Sequence, residues 1–357
     1  MLFFGNADVK VLIEKAPKYT LGKLDKILLC TIEEDIPAMA LSGSDGKAEL
    51  QKYLTDNSKN APLLLKAVET ALGQEDNSGN KLTTEYIFVI GAKDIEGEKK
   101  IMEAIETFDK TKEADFYAIL PLFESPEFEA WAQTYTPNHI FGTFTTSERE
   151  IADKGKSGRI VGQSYALKGV DSDQNEFNTV AWFSRMLFSN KFGGWKFKKL
   201  NGITADTLTD GDVARLTKVG WNGYRNVRGK GQTTSSICTD GITHADETLL
   251  RDTVIYNVAN TLMDMFDNEE IIPMGYEGKK IINAYMDQAL MYCGTLGLIE
   301  VGEDGGYLYK VNIPEFTAAM KSLRELTGMT FEFSPNIPLE KIVVTGKEIL
   351  AWEGGAE

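Results

Sequence analysis

The chain has 357 residues, 42% of them hydrophobic and 25% charged, so it has enough apolar content for a sizeable core and enough length for two domains. Its 53 acidic residues outweigh 38 basic ones, a net charge of −15 that opposes nonspecific nucleic-acid binding. No run of eighteen apolar residues exists, so no membrane anchor is expected. Residues 1–15, MLFFGNADVKVLIEK, have no basic stretch ahead of their apolar residues, so no secretion leader is expected either.

In chain order, Asp8 to Glu14 is β-prone, with Val9, Val11 and Ile13 on one face. A turn-like stretch containing Pro17 and Gly22 follows, and then KILLCT (26–31) reads as a buried strand. Residues 48–54 and 61–72 read as helices, the second placing Leu64, Leu65, Val68 and Leu72 at helical spacing. YIFVIGA (86–92), DFYAIL (115–120) and HIFGT (139–143) read as strands. Residues 98–108, 125–134 and 177–187 read as helices. This alternation predicts an α/β layer with a mixed sheet over 26–185.

The second half opens on WKFKKL (195–200), which alternates like a strand. A short helix over 209–219 stops at Gly220 in the position after the C-cap. Long helices are expected over 246–265 and 276–293, a strand over 307–311, and a helix over 314–326 with proline in its first turn. The tail carries Pro335 and Pro338 and then the β-prone IVVTGKEIL (342–350). The fold class is therefore α/β, mixed with α+β character. The expected domains are an N-terminal segment and linker over 1–25, an α/β domain over 26–185, a C-terminal α/β domain over 186–334 and a C-terminal segment over 335–357.

A search for chemistry returns little. GYRNVRGKG (223–231) fails as a phosphate loop, because its first glycine lies one position too far from Gly229 and Lys230 is followed by glycine. His139 and His244 are the only histidines. His139 reads as structural, and His244 reads as part of a loop leading into a helix. Cys30, Cys238 and Cys293 form no C-x-x-C pair, which fits a reducing cytoplasm and a buried, unreactive Cys238. No catalytic residue, metal site or cofactor is expected. Residues 191–230 carry nine basic residues against three acidic ones. That basic stretch is either a solvated face or a contact surface complementary to the acidic remainder of the same protein. Trp195, Trp221 and Tyr224 flank it in an arrangement similar to RNA-binding surfaces, but core packing is the preferred reading.

An ordered set of features in the second half resembles the contractile tail sheath proteins of phages, R-type bacteriocins and related injection systems. These are Trp195 with Leu200-Asn-Gly-Ile203, LTKVGWNGY (216–224), the glycine-containing stretch leading to Asp246-Glu247, IPMGYEG (272–278), and Gly294 to Gly297. The resemblance covers residues 175–352 well and the first half loosely, and it matches a short form without added protruding domains. It implies a structural subunit made in the bacterial cytoplasm and assembled into a phage tail or bacteriocin-like particle. In that particle six copies form a ring, rings stack helically around a tail tube, and contraction drives the tube through a cell envelope. The implied partners are the chain itself, the tube protein, and baseplate and tail terminator proteins. It implies that the domain over 26–185 is the outer one, the domain over 186–334 the inner one, and the two end segments β-arms. It further implies strand exchange between subunits through Val9, Val11, Ile13, Ile342, Val343 and Val344, and a tube-facing surface at Lys321, Arg324 and Glu325. The competing expectations are a nucleotide-dependent α/β enzyme and another tail or baseplate structural protein.

Overall fold

The computed structural model describes residues 3–4, 9–10, 24–93, 98–111, 113–135, 139–147, 149–165, 177–189 and 192–339. Two short strands, β1 (Phe3–Phe4) and β2 (Val9–Lys10), pair with each other antiparallel and join no other sheet among the described residues. The first long apolar run forms β3 (Ile27–Thr31), every residue of which is buried. A strand covered on both faces needs such a continuous run. After β3 come β4 (Ile36–Ser42), helices α1 (Gly46–Asp56) and α2 (Pro62–Leu72), and β5 (Tyr86–Gly91). The chain continues through α3 (Lys99–Asp109), β6 (Ala118–Pro121), α4 (Pro126–Thr134), β7 (Ile140–Thr145) and β8 (Ile160–Ser164).

These strands build one sheet in the order β4-β5-β3-β6-β7-β8, extended by the two-residue β9 (Trp221–Asn222) to seven strands. All neighbours are parallel except β4, which runs antiparallel along β5 at one edge. The sheet is mixed, as the strand–helix alternation predicts. Its two faces bury separate side-chain sets, because successive residues of a strand point to opposite faces. Ile27, Leu29 and Val89 join α1, α2 and α5 (Asn178–Leu187) in one core, while Leu28, Cys30 and Ile90 join α3 and α4 in another. Helix α4 starts where the sequence says it should: Phe128 N–H donates to the Ser125 side chain at 2.9 Å, and Pro126 stands in the first turn.

Beyond the sheet lie α6 (Asp210–Lys218) and the hairpin β10 (Tyr224–Val227) and β11 (Lys230–Thr233). Thr209 and Asp212 close a capping box at the start of α6, and Gly220, at φ 81°, ends its descent. Gly220 also admits no side chain, since a Cβ would meet the Thr239 carbonyl oxygen at 2.8 Å. That turn delivers Trp221 to the sheet edge, where its ring covers Gly162 so closely that a Cβ there would sit 2.5 Å away.

The last third contains α7 (Ala245–Asn268), α8 (Tyr276–Thr295), the antiparallel pair β12 (Tyr309–Asn312) and β13 (Thr330–Phe333), and the six-residue α9 (Ala318–Leu323). Leu250, Val254, Val258 and Leu262 of α7 meet Ile282, Met286, Leu290 and Cys293 of α8 in a further core. The boundary expected at 185/186 falls inside the first core, which includes Trp195, Leu200, Tyr224, Cys238, Ala245 and Leu249. The change of core comes within the first turns of α7, so this helix belongs to both.

Two expected elements differ. WKFKKL is not a strand: Trp195 and Leu200 are buried while Phe197 turns outward with φ 62°. The helix expected over 314–326 shrinks to α9, which starts at the Thr317 cap and stops where Arg324 takes a left-handed conformation at φ 54°.

Candidate assembly surfaces

The candidates for chemistry take structural roles. The His139 ring stacks on Phe116 at 4.9 Å, and its Nε2 lies 3.2 Å from Asp109 Oδ1, whose other oxygen accepts from the Tyr135 hydroxyl at 2.7 Å. Burial would push the Asp109 carboxyl up, but the hydrogen bonds from His139 and Tyr135 prevail and hold it below the usual range. His244 precedes the first residue of α7, with Nδ1 2.7 Å from Ser236 Oγ. All three cysteines are buried free thiols. Burial raises each of them, Cys293 to about 12, which removes thiolate reactivity at neutral pH.

GYRNVRGKG forms the β10–β11 hairpin. Arg228 and Gly229 both have positive φ at its two-residue turn, and a strand rather than a helix follows, so no helix N-terminus faces a phosphate. Trp195, Trp221 and Tyr224 are buried, as the core reading expects. An open cleft beside the edge strand is lined by Ile36, Ala92, Ala104 and Phe108, with the Asp35–Lys100 ion pair (2.9 Å) at its rim. Its lining holds neither histidine nor cysteine. Among the described residues no group of three or more potential ligands could hold a metal ion, and no helix is long and apolar enough to cross a membrane.

In β12 and β13, Tyr309, Val311, Phe331 and Phe333 turn toward the α7–α8 core, while Lys310, Asn312, Thr330 and Glu332 are exposed. This two-stranded sheet has no further full strand on either edge among the described residues. The Ser334 N–H donates to the Leu308 carbonyl at 2.9 Å directly across the ladder. Antiparallel alternation therefore points the main-chain groups of Val311, Phe331 and Phe333 outward. Such an edge is a template for an added strand. Apolar side chains are also exposed in the segments joined to these strands, Leu323 between them and Ile337 and Leu339 after β13, at 72, 56 and 74%.

Of the expected exchange residues, Val9 lies in β2 opposite Phe4. Val11, Ile13, Ile342, Val343 and Val344 lie outside the described residues. Lys321, Arg324 and Glu325 are all exposed, the first in the last turn of α9 and the other two just past its end.

Sequence reasoning missed the joint between the two halves. The Arg159 guanidinium grips buried Asp252 of α7 with two hydrogen bonds of 2.6 and 2.7 Å, and the Tyr117 hydroxyl donates to the same carboxylate at 2.8 Å. Burial and the adjacent Asp252 charge push the Tyr117 hydroxyl far above its ordinary value, so it stays a donor. These residues are 93 and 135 positions apart in sequence, so no local pattern could pair them. A further surface is marked by Phe197. A bulky side chain in the left-handed region costs about 1–2 kcal/mol, yet Phe197 is 54% exposed and Lys196 Nζ lies 5.0 Å above its ring. The conformation is held from behind, where Phe197 N–H donates to the Thr233 carbonyl and Thr233 N–H to that of Lys198, both at 3.0 Å.

Similar structures share this architecture from end to end. The contracted helical sheath of the anti-feeding prophage (AFP) superposes with a TM-score of 0.70 at 9% identity, covering 97% of this chain and 99% of that one. The chain thus has the fold of a contractile-sheath subunit. A chain of the six-fold symmetrised AFP baseplate gives a TM-score of 0.66 at 11% identity, with 96% and 99% covered. The contracted PVC sheath complex of an extracellular contractile injection system gives 0.63 at 12%, with 96% and 98% covered. No protein-family model matches the sequence, and a search of curated proteins finds no relative.

Proposed function

We propose that this chain is the structural subunit of a contractile sheath. It polymerises helically around a tail tube and shortens to drive that tube through a target envelope. The observation that carries the reading is the end-to-end likeness to the contracted AFP sheath chain, which leaves 3% of this chain and 1% of that one unmatched.

The physical features fit. The β12–β13 sheet, with no further full strand on either edge among the described residues, can accept strands supplied by the β-prone ends of neighbouring copies, at Val9, Val11 and Ile13 and at Ile342, Val343 and Val344. Each main-chain hydrogen bond contributes about 0.5–1.5 kcal/mol, and apolar burial adds to it. Several such bonds hold a neighbour while the domains turn. Lys321, Arg324 and Glu325 are assigned to the tube-facing surface, where exposed ion pairs worth roughly 0–1 kcal/mol each can release. The partners are further copies in six-membered rings, the tube protein, and baseplate and terminator proteins. The chain is made in the bacterial cytoplasm and ends in the assembled particle, and the role needs no catalysis and no cofactor.

A second reading, a component of the baseplate, is supported by the likeness to the AFP baseplate chain. Sedimentation of the purified chain separates the two. A sheath subunit pellets as a polymer of unbounded size above a critical concentration, and a baseplate component stops at a closed ring.

A further inference from the structure

Two surface patches are each locally unfavourable and complementary to one another. In the first, residues 195–200 and 224–233 carry six cations, Lys196, Lys198, Lys199, Arg225, Arg228 and Lys230, and no carboxylate. The two segments are joined by the Phe197–Thr233–Lys198 main-chain hydrogen bonds. Arg225 is occupied by Asp210 at 2.6 Å, and Lys199, Arg228 and Lys230 are exposed. From this patch projects the Phe197 ring, kept in a backbone conformation its side chain disfavours.

The second patch is the end of α7. The chain has no lysine or arginine between Arg251 and Lys279. Asp264, Glu269 and Glu270 gather where the helix dipole is already negative, with no basic residue in the last turn to offset it. Phe266 and Ile271, 58% and 75% exposed, stand among these carboxylates.

We infer that the basic Phe197 patch of one copy docks on the acidic end of α7 of a second copy. The Phe197 ring would seat against Phe266 and Ile271, while Lys199, Arg228 and Lys230 face Glu270 and the carbonyl end of the helix. Charge complementarity and a matched apolar centre identify the occupant as a second copy, because each copy of this acidic chain carries both halves. The two halves differ, so the contact is head-to-tail and repeats without closing unless the rotation forms a ring. The inference rests on the self-assembly reading and adds to it a contact that needs neither chain end.

The test is charge exchange. The triple variant Lys199→Glu/Arg228→Glu/Lys230→Glu and the double variant Glu269→Lys/Glu270→Lys should each raise the critical concentration for polymer at least about tenfold. Joined in one chain they should restore it. Phe197→Gly should raise the Tm of the unpolymerised chain, by relieving the backbone, and still weaken assembly. A merely structural Phe197 would leave assembly unchanged. Polymerisation of either charge variant at the wild-type concentration, with circular dichroism showing a native fold, overturns the contact. If the wild-type chain forms no polymer at all, the sheath reading fails instead. The contact is then decided by mixing Phe197→Cys and Ile271→Cys chains at high concentration under mild oxidation: a covalent heterodimer supports it, and its absence refutes it.

Discussion

Arg159 and Asp252 form a two-pronged ion pair across the junction of the seven-stranded sheet and helix α7, with Asp252 only 3% exposed and Tyr117 as a third member. A carboxylate so placed is costly to bury and costlier to orphan. Asp252→Ala leaves a guanidinium and a hydroxyl without their acceptor, and should destabilise the unpolymerised chain by about 3–5 kcal/mol. The double variant Arg159→Met/Asp252→Leu should recover most of that loss, since a packed apolar pair of similar volume is often no worse. Urea unfolding of both measures it. A single variant within about 1 kcal/mol of wild type would mean that the junction does not depend on this pair.

The Asp109 carboxyl, held low by His139 and Tyr135, makes stability depend on acid. Its folded value lies below the unfolded one of about 3.9. Its contribution is therefore fully present above that value and is lost as the pH falls through the lower folded value. Asp109→Asn should be less stable than wild type at neutral pH, and the gap should narrow below about pH 4. Denaturation curves at pH 7 and pH 3 read this directly, and a gap that widens in acid contradicts the assignment.

These two contacts also show what the sequence can and cannot reveal. Elements governed by neighbours in sequence were readable. The apolar run of β5, the Ser125 cap of α4 and the Gly220 stop after α6 all lie where local chemistry places them. Elements set by distant contacts were not. β9 is two residues long and exists because Trp221 finds Gly162, 59 positions earlier by number. WKFKKL alternates like a strand, but its backbone is captured by Thr233 and thrown into a turn. The 314–326 segment has a helical pattern but packs only its flanks, Phe316 and Leu326, on the α7–α8 core, and its middle shortens to one exposed turn and a half. Of the candidate surfaces, the exposure of Lys321, Arg324 and Glu325 follows from their charge, whereas the edges of β12 and β13, which carry no further full strand among the described residues, required the fold.

Removing residues 340–357, or the first 14, should abolish sheath polymer and leave a folded chain. The β-prone ends belong to the proposed exchange, and the central cores lie within 27–333. Val343→Pro should act like the deletion, because it removes a donor from the ladder. Light scattering and circular dichroism together check this. Loss of fold on truncation would assign the segments to their own chain, and normal polymer would remove them from assembly altogether.

Reversal of Lys321 and Arg324 to glutamate should impair extended sheath on a tube while leaving tube-free polymer intact, and it should cost almost nothing in stability because both side chains are exposed. Co-assembly with tube protein, scored by pelleting, measures the first effect. Extended sheaths of normal yield would move the tube-facing surface elsewhere.

The most direct measurement is negative-stain electron microscopy of the purified full-length chain, concentrated and incubated without any partner. The account predicts hollow rods of variable length with a regular helical surface lattice, wide enough in their lumen to surround a tube. A field of single subunits at every concentration, or closed rings that never stack, would contradict it.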